Sequence, residues 1–232
     1  MAQAGIRAVS FDCYGTLVDW EGGLGAFLYD VARRHGEGRV ELEPGRRLRE
    51  RWEEIQFTAI QGEYRRYADI LRDSLTEWAS ERGLRLHERD GDALVRAMES
   101  WQPFPDTVPA LRAARAAGLR LAIVSNTDRA IIAHTLRQLE VEFDTVVVAE
   151  DARAYKPSSR PFEALLEELD EQPGAVLHAA FGFRYDIASA QRQGMRTAWV
   201  NRKREPRPAG TAPDLEWDSL WGLAGLVGRA AS

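Results

Sequence analysis

The spacing of apolar residues changes twice along the chain. A short apolar run starts at Ile6 and ends at Asp12, and it has the length and composition of a buried strand. From about residue 22 to residue 100, apolar residues recur every three or four positions, as on the buried face of a helix. This spacing predicts four amphipathic helices, at 23–35, 46–61, 64–82 and 89–101. The third has the clearest apolar stripe, formed by Tyr64, Tyr67, Leu71, Leu75 and Trp78.

The second change follows Pro105, where strand-like and helix-like segments begin to alternate. Four further strands are predicted, at 119–125, 145–149, 176–180 and 197–200. The proline-containing segment 202–213 is typical of an exposed loop, and a short helix is predicted at 219–227. Alternating strands and helices are typical of a parallel sheet with helical crossovers.

These patterns predict an α/β fold with a Rossmann-like parallel sheet core and a helical cap domain inserted after the first strand. The core domain is expected at 1–20 and 102–232, and the cap at 21–101. Such a cap, joined by two short linkers, is suited to enclosing a small substrate at the strand ends.

Composition narrows the classes of function. The chain has 232 residues, 44% of them hydrophobic and 29% charged, and its formal charge of −5 argues against a nucleic-acid-binding surface. The sequence has neither a signal-peptide pattern nor an apolar stretch of about 20 residues, so we expect a cytoplasmic protein that does not enter a membrane. The single cysteine, Cys13, excludes an intramolecular disulfide and is expected to serve strand packing.

Candidate chemistry lies where the predicted strands end. Asp12 follows the first strand, Ser125 ends the second, and Asp186 comes shortly after the fourth. Lys156 stands just before a predicted helix. Because ligands of open α/β sheets bind at the carboxyl ends of the strands, these polar side chains are candidates for a common site.

The segments around these residues resemble, in order, the four motifs of the haloacid dehalogenase superfamily. The segments that carry the resemblance are Phe11-Asp-Cys-Tyr-Gly-Thr-Leu17, Ser125-Asn126, Lys156-Pro157 and Phe181-Gly-Phe-Arg-Tyr-Asp186. The resemblance implies that Asp12 is a nucleophile that forms a covalent intermediate and that Lys156 is the cation beside it. It implies that Asp186 orients Lys156 or assists the hydrolytic water.

The resemblance also implies a cradle for a bound anion. Ser125 and Thr16 would supply hydroxyl donors to it, and Asn126 would supply a backbone N–H.

The residue two positions after Asp12 separates the reaction classes of this superfamily. Its phosphatases carry a second Asp there as general acid, whereas this chain has Tyr14, and an unperturbed tyrosine has a pKa near ~10. Those phosphatases also hold Mg²⁺ with a Gly-Asp-x-x-x-x-Asp segment, but the residue five positions before Asp186 is Phe181. We therefore expect no metal and no other cofactor, and we expect Tyr14 to form a wall of the substrate pocket.

The first motif is similar to that of the L-2-haloacid dehalogenase branch. In that branch the Asp displaces halide from carbon, and water then hydrolyses the ester, so the leaving group needs no proton. A cationic cap residue receives the halide or the carboxylate of the small substrate. The pattern Arg-x-x-x-x-x-aromatic-Thr places that role on Arg51, with Phe57 and Thr58 following, and Arg49 is the alternative.

The fourth motif departs from that branch. Its usual Ser-x-Asn-x-x-Asp is replaced by a segment with Phe181 and Phe183, and the usual Tyr six positions after Lys156 is replaced by Phe162. We expect these three phenylalanines to make the pocket more apolar. His178 and Arg184 are candidates for replacing the missing polar groups, although a histidine within a strand is more often a core residue.

The predicted function is a metal-independent hydrolase that displaces a leaving group from an aliphatic carbon, most simply a 2-haloacid dehalogenase. Three alternatives stay open: opening of a small ring that bears a carboxylate, phosphatase activity, and a catalytically weak binding protein. The expected partner is a small carboxylate substrate, with no nucleic acid and no membrane, and a homodimer is left open.

Overall fold

The computed structural model describes residues 5–36, 45–210 and 212–227. Six strands form one sheet in the order β3-β2-β1-β4-β5-β6, and every neighbouring pair is parallel. The Rossmann-like sheet predicted from the alternation of strands and helices is therefore confirmed. The strands are β1 (Ala8–Phe11), β2 (Arg120–Ser125), β3 (Thr145–Val148), β4 (Val176–Ala180), β5 (Arg196–Val200) and β6 (Leu215–Trp217).

Five α-helices lie between β1 and β2 in the described residues. They are α1 (Trp20–His35), α2 (Gly45–Ile60), α3 (Tyr67–Glu81), α4 (Asp90–Met98) and α5 (Thr107–Ala116). The helices that follow are α6 (Arg129–Leu139), α7 (Ala149–Ala152), α8 (Arg160–Leu169), α9 (Ala188–Arg192) and α10 (Ala224–Val227). A single π-helical turn, Phe183–Ile187, connects β4 to α9.

The predicted elements differ from the observed ones mainly at their ends. Helix α3 begins at Tyr67, so Tyr64 precedes the helix, while the other four residues of the predicted stripe are buried in it. The three-residue strand β6 was not predicted, because it is short and follows the proline-containing loop. The predicted C-terminal helix is a 3₁₀ turn at Leu220–Leu223 that continues into α10.

The order of the strands explains where the candidate residues meet. From β1 the chain moves through β2 to β3 on one side, and then returns to the other side of β1 with β4. The topological switch point therefore lies between β1 and β4, and ligands of open α/β sheets generally bind at such a point, at the carboxyl ends of the strands. Asp12 directly follows β1, and Asp186 lies in the turn that follows β4.

Within the described residues the chain separates into two compact units. The first falls within Met1–Val18, Gln102–Asn126 and Leu136–Ser232, and it contains the sheet. The second falls within Asp19–Trp101 and Thr127–Thr135, and it contains α1 to α4.

The short segment Thr127–Thr135 belongs to the second unit although it follows the end of β2. The buried carboxylate of Asp128 accepts hydrogen bonds from the backbone N–H groups of Tyr67 and Ala68, both at 2.9 Å. These are the first residues of α3, whose N–H groups have no partner within the helix. The carboxylate therefore satisfies the start of α3 in the way that a capping side chain does.

None of the described helices has the length and apolar character needed to cross a bilayer.

Candidate active site

The ammonium group of Lys156 lies between two carboxylates inside the first unit. Its side chain is 1% exposed. Nζ donates hydrogen bonds to Asp12 Oδ1 at 2.9 Å, to Asp186 Oδ1 at 2.6 Å and to the carbonyl oxygen of Val124 at 2.9 Å. An ammonium group has three protons to donate, so all three are used within this cluster. The structure thus brings together the three residues that the sequence singled out as catalytic.

Burial and charge oppose each other in this trio. Burial would lower the pKa of Lys156, but the carboxylates of Asp12 and Asp186 outweigh it and raise that pKa, so the ammonium stays charged. Burial would raise the pKa of Asp186, but Lys156 and a hydrogen bond from His178 lower it. The pKa of Asp12 is raised, because burial and the nearby charge of Asp186 outweigh the attraction of Lys156. Asp12 is therefore the more basic carboxylate, as a nucleophile should be.

Thr16 holds the other carboxylate oxygen of Asp12. Its Oγ1 donates to Asp12 Oδ2 at 2.9 Å and accepts from the backbone N–H of Phe181 at 3.0 Å. We expected this hydroxyl to donate to a bound anion, but its single proton is directed at Asp12. Thr16 therefore orients Asp12 and connects the first motif to the fourth.

A buried chain of two polar groups, His178 and Ser10, also supports Asp186. His178 Nε2 lies 3.2 Å from Asp186 Oδ1, and its Nδ1 lies 2.9 Å from Ser10 Oγ. Because an ionised carboxylate only accepts hydrogen bonds, Nε2 must donate to Asp186, and the Ser10 hydroxyl can then donate to Nδ1. His178 is fully buried, so it orients Asp186 and is not available to replace a substrate-facing polar group. The other candidate for that replacement, Arg184, is exposed.

Asn126 positions the main chain of Lys156. Its Oδ1 accepts from the Lys156 backbone N–H at 2.7 Å, and its Nδ2 donates to the Lys156 carbonyl oxygen at 3.0 Å. This side-chain role was not predicted, since the resemblance implied only a backbone N–H at this position.

Ser125 keeps a hydroxyl available at the end of β2. The residue is 2% exposed, and its Oγ has no hydrogen-bond partner among the residues that the structure describes. A buried hydroxyl without a partner is costly, and it is satisfied when a ligand accepts its proton. Ser125 therefore remains the candidate donor to a bound anion.

The three phenylalanines occupy different environments. The ring of Phe162 is fully buried in the apolar core of the first unit and meets the His178 ring edge to face at 5.2 Å between centroids. Phe183 packs edge to face against Trp199 at 4.8 Å. These contacts argue against Phe162 and Phe183 as pocket walls, because both rings belong to apolar clusters within the unit.

Phe181 and Tyr14 remain as candidate walls. The Phe181 ring lies directly over Gly15, so closely that a Cβ at position 15 would be 2.4 Å from a ring carbon. Gly15 also has a φ of +99°, a conformation that residues with side chains rarely adopt. The first motif therefore requires glycine here, both for its turn and for the ring above it. Tyr14 is 9% exposed.

Arg51 and Arg49 lie in the second unit and differ in how their guanidinium groups are used. All three nitrogens of the exposed Arg51 donate to glutamates, Nη1 to Glu54 and Nε and Nη2 to Glu81. This argues against Arg51 as the residue that receives an anion.

Arg49 is 6% exposed and lies 5.8 Å from the ring centre of Trp20. Its Nη1 contacts Glu21 and Glu53, while Nε and Nη2 make no hydrogen bond within the described residues. Arg49 therefore keeps donors that an anion could use. The aromatic residue and the threonine of the predicted arginine pattern are Phe57 and Thr58. Phe57 is partly buried, and Thr58 is exposed and donates its hydroxyl proton to the Glu54 carbonyl oxygen.

The donor set around Asp12 does not fit Mg²⁺, the ion that phosphatases of this fold hold. Magnesium prefers near-octahedral coordination by oxygen atoms. Here one oxygen of each carboxylate is bound to the Lys156 ammonium, the remaining oxygen of Asp12 is held by Thr16, and position 181 carries a phenyl ring.

Two supporting residues were missed by sequence reasoning. Ser10 lies opposite His178 in the β1–β4 pairing, and Trp199 Nε1 donates to the Phe181 carbonyl at 3.0 Å. A polar residue inside an apolar strand, such as Ser10, indicates a buried hydrogen bond. The partner of that hydrogen bond, His178, could be identified only from the register of β1 and β4. Trp199 gave no comparable signal.

A family model for haloacid dehalogenase-like hydrolases matches residues 6–194. The chain is 28% identical over 239 residues to the (S)-2-haloacid dehalogenase of Pseudomonas sp. strain YL, covering 97% of this chain and 96% of that one. It is 27% identical over 204 residues to haloacetate dehalogenase H-2 of Moraxella sp. strain B, covering 85% and 86%. A solved structure of an L-2-haloacid dehalogenase shares 27% identity with a TM-score of 0.79, covering 98% of this chain and 100% of that one.

Proposed function

Since the chain belongs to the haloacid dehalogenase-like hydrolase family, we propose that it is a 2-haloacid dehalogenase with Asp12 as its nucleophile. The observation that carries the proposal is the state of Asp12, a buried carboxylate with a raised pKa that Lys156 and Thr16 hold in place. Its relatives that act on haloacids support the choice of substrate class.

In the first step, a carboxylate oxygen of Asp12 attacks the carbon that bears the halogen. A carbon–oxygen bond forms, the carbon–halogen bond breaks, and the halide leaves with the bonding electron pair. The product is an ester between Asp12 and the substrate. Because halide leaves without a proton, Tyr14 in place of a general acid does not impede this step.

In the second step, water attacks the carbonyl carbon of the Asp12 ester. The substrate leaves as a 2-hydroxy acid that carries one of the original oxygens of Asp12, and the carboxylate is regenerated. Over the whole cycle one water is consumed, and one halide and one proton are released. We assign Asp186 the role of positioning Lys156, since its lowered pKa makes it a weak base.

A substrate panel tests the proposal. The purified protein is given 2-haloacids, small ring carboxylates and phosphomonoesters, each with chelator and with added Mg²⁺, while halide, ring-opened product and phosphate are measured. We expect halide release from a 2-haloacid at a rate that neither chelator nor Mg²⁺ changes. Phosphate release that depends on Mg²⁺ would overturn the proposal. Ring opening without halide release would also overturn it, and would indicate instead a hydrolase that opens a small ring bearing a carboxylate.

We expect the anion-binding role in the second unit to fall to Arg49. A hydrogen bond to a charged group contributes about 1.5–3 kcal/mol, so Arg49→Ala should lower kcat/KM by about tenfold or more. Arg51→Ala is the matched control and should stay within about twofold, because its guanidinium is already bound to Glu54 and Glu81. Steady-state kinetics with circular dichroism to monitor folding measures both, and equal losses in the two variants would contradict the assignment.

We expect Phe181 to set a preference for longer 2-substituted acids. Burying one methylene contributes about 0.8 kcal/mol, so kcat/KM should rise about fourfold per added carbon until the pocket is full. Phe181→Ala should flatten this profile. The Phe183 ring packs on Trp199, so Phe183→Asn should lower the free energy of unfolding and leave the chain-length profile unchanged. A flat profile in the wild type would rule out the apolar wall.

A cytoplasmic location and a homodimer remain predictions, which cell fractionation and light scattering would check.

A further inference from the structure

Two histidines and an aspartate of the second unit form a cluster that the proposed reaction does not use. His35 is the last residue of α1, His87 precedes α4, and Asp90 is the first residue of α4. One potential ligand atom from each of the three lies within 4.8 Å of the other two. Imidazole nitrogens and a carboxylate oxygen are ligands that Zn²⁺ prefers.

The ring of His35 points a buried nitrogen into this cluster. Its side chain is 5% exposed, and Nε2 lies 2.9 Å from Asp90 Oδ2. Despite that distance, Nε2 makes no aligned hydrogen bond within the described part of the chain. A buried nitrogen without a hydrogen bond is unfavourable in the folded state, and a metal ion held between nitrogen and carboxylate would satisfy both.

The carboxylate of Asp90 is fixed by its neighbours. Arg34 Nη1 donates to Oδ1 at 3.1 Å, and the His87 backbone N–H donates to Oδ2 at 2.7 Å. These two donors hold the Asp90 carboxylate in one orientation. Arg34 also donates to Asp30 at 2.7 Å, which offsets its positive charge near a bound cation. Hydrogen bonds of this kind orient metal-bound carboxylates.

His87 gives the cluster access to solvent. The residue is exposed, and its ring lies edge to face with that of His35 at 4.6 Å between centroids. We propose that His35, His87 and Asp90 form a Zn²⁺ site that links the end of α1 to the start of α4. Two ligands on a tetrahedral Zn²⁺ lie about 3.4 Å apart, so the exposed ring of His87 would move toward the other two, and a water would complete the coordination.

Direct titration tests the site. The full chain is freed of metal with a chelator, dialysed, and titrated with Zn²⁺ alone by calorimetry. We expect one ion per chain, and we expect His87→Ala to bind at least tenfold more weakly. His134→Ala is the matched control, since His134 is a partly exposed histidine of the same unit outside the cluster, and its binding should equal that of the wild type.

A second readout separates binding at this site from adventitious binding. Zn²⁺ should raise the thermal midpoint of the wild type and of His134→Ala equally, because a ligand that binds only the folded state stabilises it. At the same Zn²⁺ concentration it should raise the midpoint of His87→Ala less. Co²⁺ added in place of Zn²⁺ should give the visible absorption of a four-coordinate ion in the wild type. The same addition to His87→Ala should not give this absorption. Absence of saturable Zn²⁺ binding, or equal binding by wild type and His87→Ala, would overturn the proposal and leave the cluster an imidazole–carboxylate pair.

Discussion

Asp12→Asn is expected to abolish turnover and to leave the protein at least as stable at neutral pH as the wild type. The loss of activity follows from the loss of the anionic carboxylate, because the neutral amide oxygen of asparagine is a poor nucleophile. The gain or retention of stability follows from the raised pKa of Asp12, since the folded protein holds this carboxylate ionised at a cost. After the substitution, Lys156 and Asp186 remain as an ion pair without net charge, with Nζ and Oδ1 2.6 Å apart.

The pH dependence gives the sign of this effect. For an acid whose pKa is higher in the folded state, the folded protein binds more protons, so its stability falls as pH rises from the unfolded pKa of about 3.9 to the folded value. The advantage of Asp12→Asn should therefore be absent at low pH and develop over that window. Denaturant unfolding across pH measures it, and a variant that is less stable than the wild type at neutral pH would contradict the argument.

Asp186→Asn is the opposite case and serves as the control. Because the pKa of Asp186 is lowered on folding, its ionised form stabilises the protein above about pH 3.9, and this contribution is lost as pH falls through the folded value. The variant should be less stable than the wild type at neutral pH, with the difference shrinking in acid.

Isotope labelling tests the covalent step independently. In a single turnover in ¹⁸O-water, the product hydroxyl should come from Asp12, and the label should enter the peptide that contains Asp12. Mass spectrometry of product and protein distinguishes this from direct attack by water, in which the first product carries the label.

Lys156→Met is expected to lower kcat by about a hundredfold or more. Removing one member of a buried charge pair commonly costs ~3–5 kcal/mol, and here two buried carboxylates lose their shared cation. The pKa of Asp12 should rise further, so the acid limb of the residual activity should shift to higher pH. Steady-state kinetics across pH measures both effects.

Lys203→Met is the matched control, because the chain has only these two lysines and Lys203 is exposed. Its activity should match the wild type. A Lys156→Met enzyme with more than about a tenth of the wild-type rate, a loss below ~1.4 kcal/mol, would show that the ammonium is not needed for the nucleophile.

Much of the fold and the catalytic trio could be predicted from the sequence. Strands β1, β2 and β4 are short, buried and apolar, and in a parallel sheet their carboxyl ends meet at one edge. Polar residues at those ends, such as Asp12 and Ser125, therefore had to lie near one another. Strand β6 was missed because three residues carry too little periodicity to predict a strand.

The supporting contacts could not be predicted, because they depend on register and on side-chain direction. Ser10 and His178 are 168 residues apart and become partners only through the pairing of β1 with β4. Arg49 and Arg51 are two positions apart on one helix and so point in different directions, and the sequence pattern taken from the resemblance selected the exposed one. The resemblance predicted Phe162 as a pocket residue, but its ring is fully buried in the apolar core of the first unit.

The buried position of Lys156 also allows local unfolding of the first unit to be measured by chemical labelling of this lysine. Acylating reagents attack neutral, accessible amines, and Lys156 is both buried and held charged by its two carboxylates. In the native protein, such reagents should therefore modify Lys203 rapidly and Lys156 only when the end of β2 and the loop after β3 separate. The rate at which Lys156 becomes labelled then measures how often the first unit opens locally, without any introduced probe.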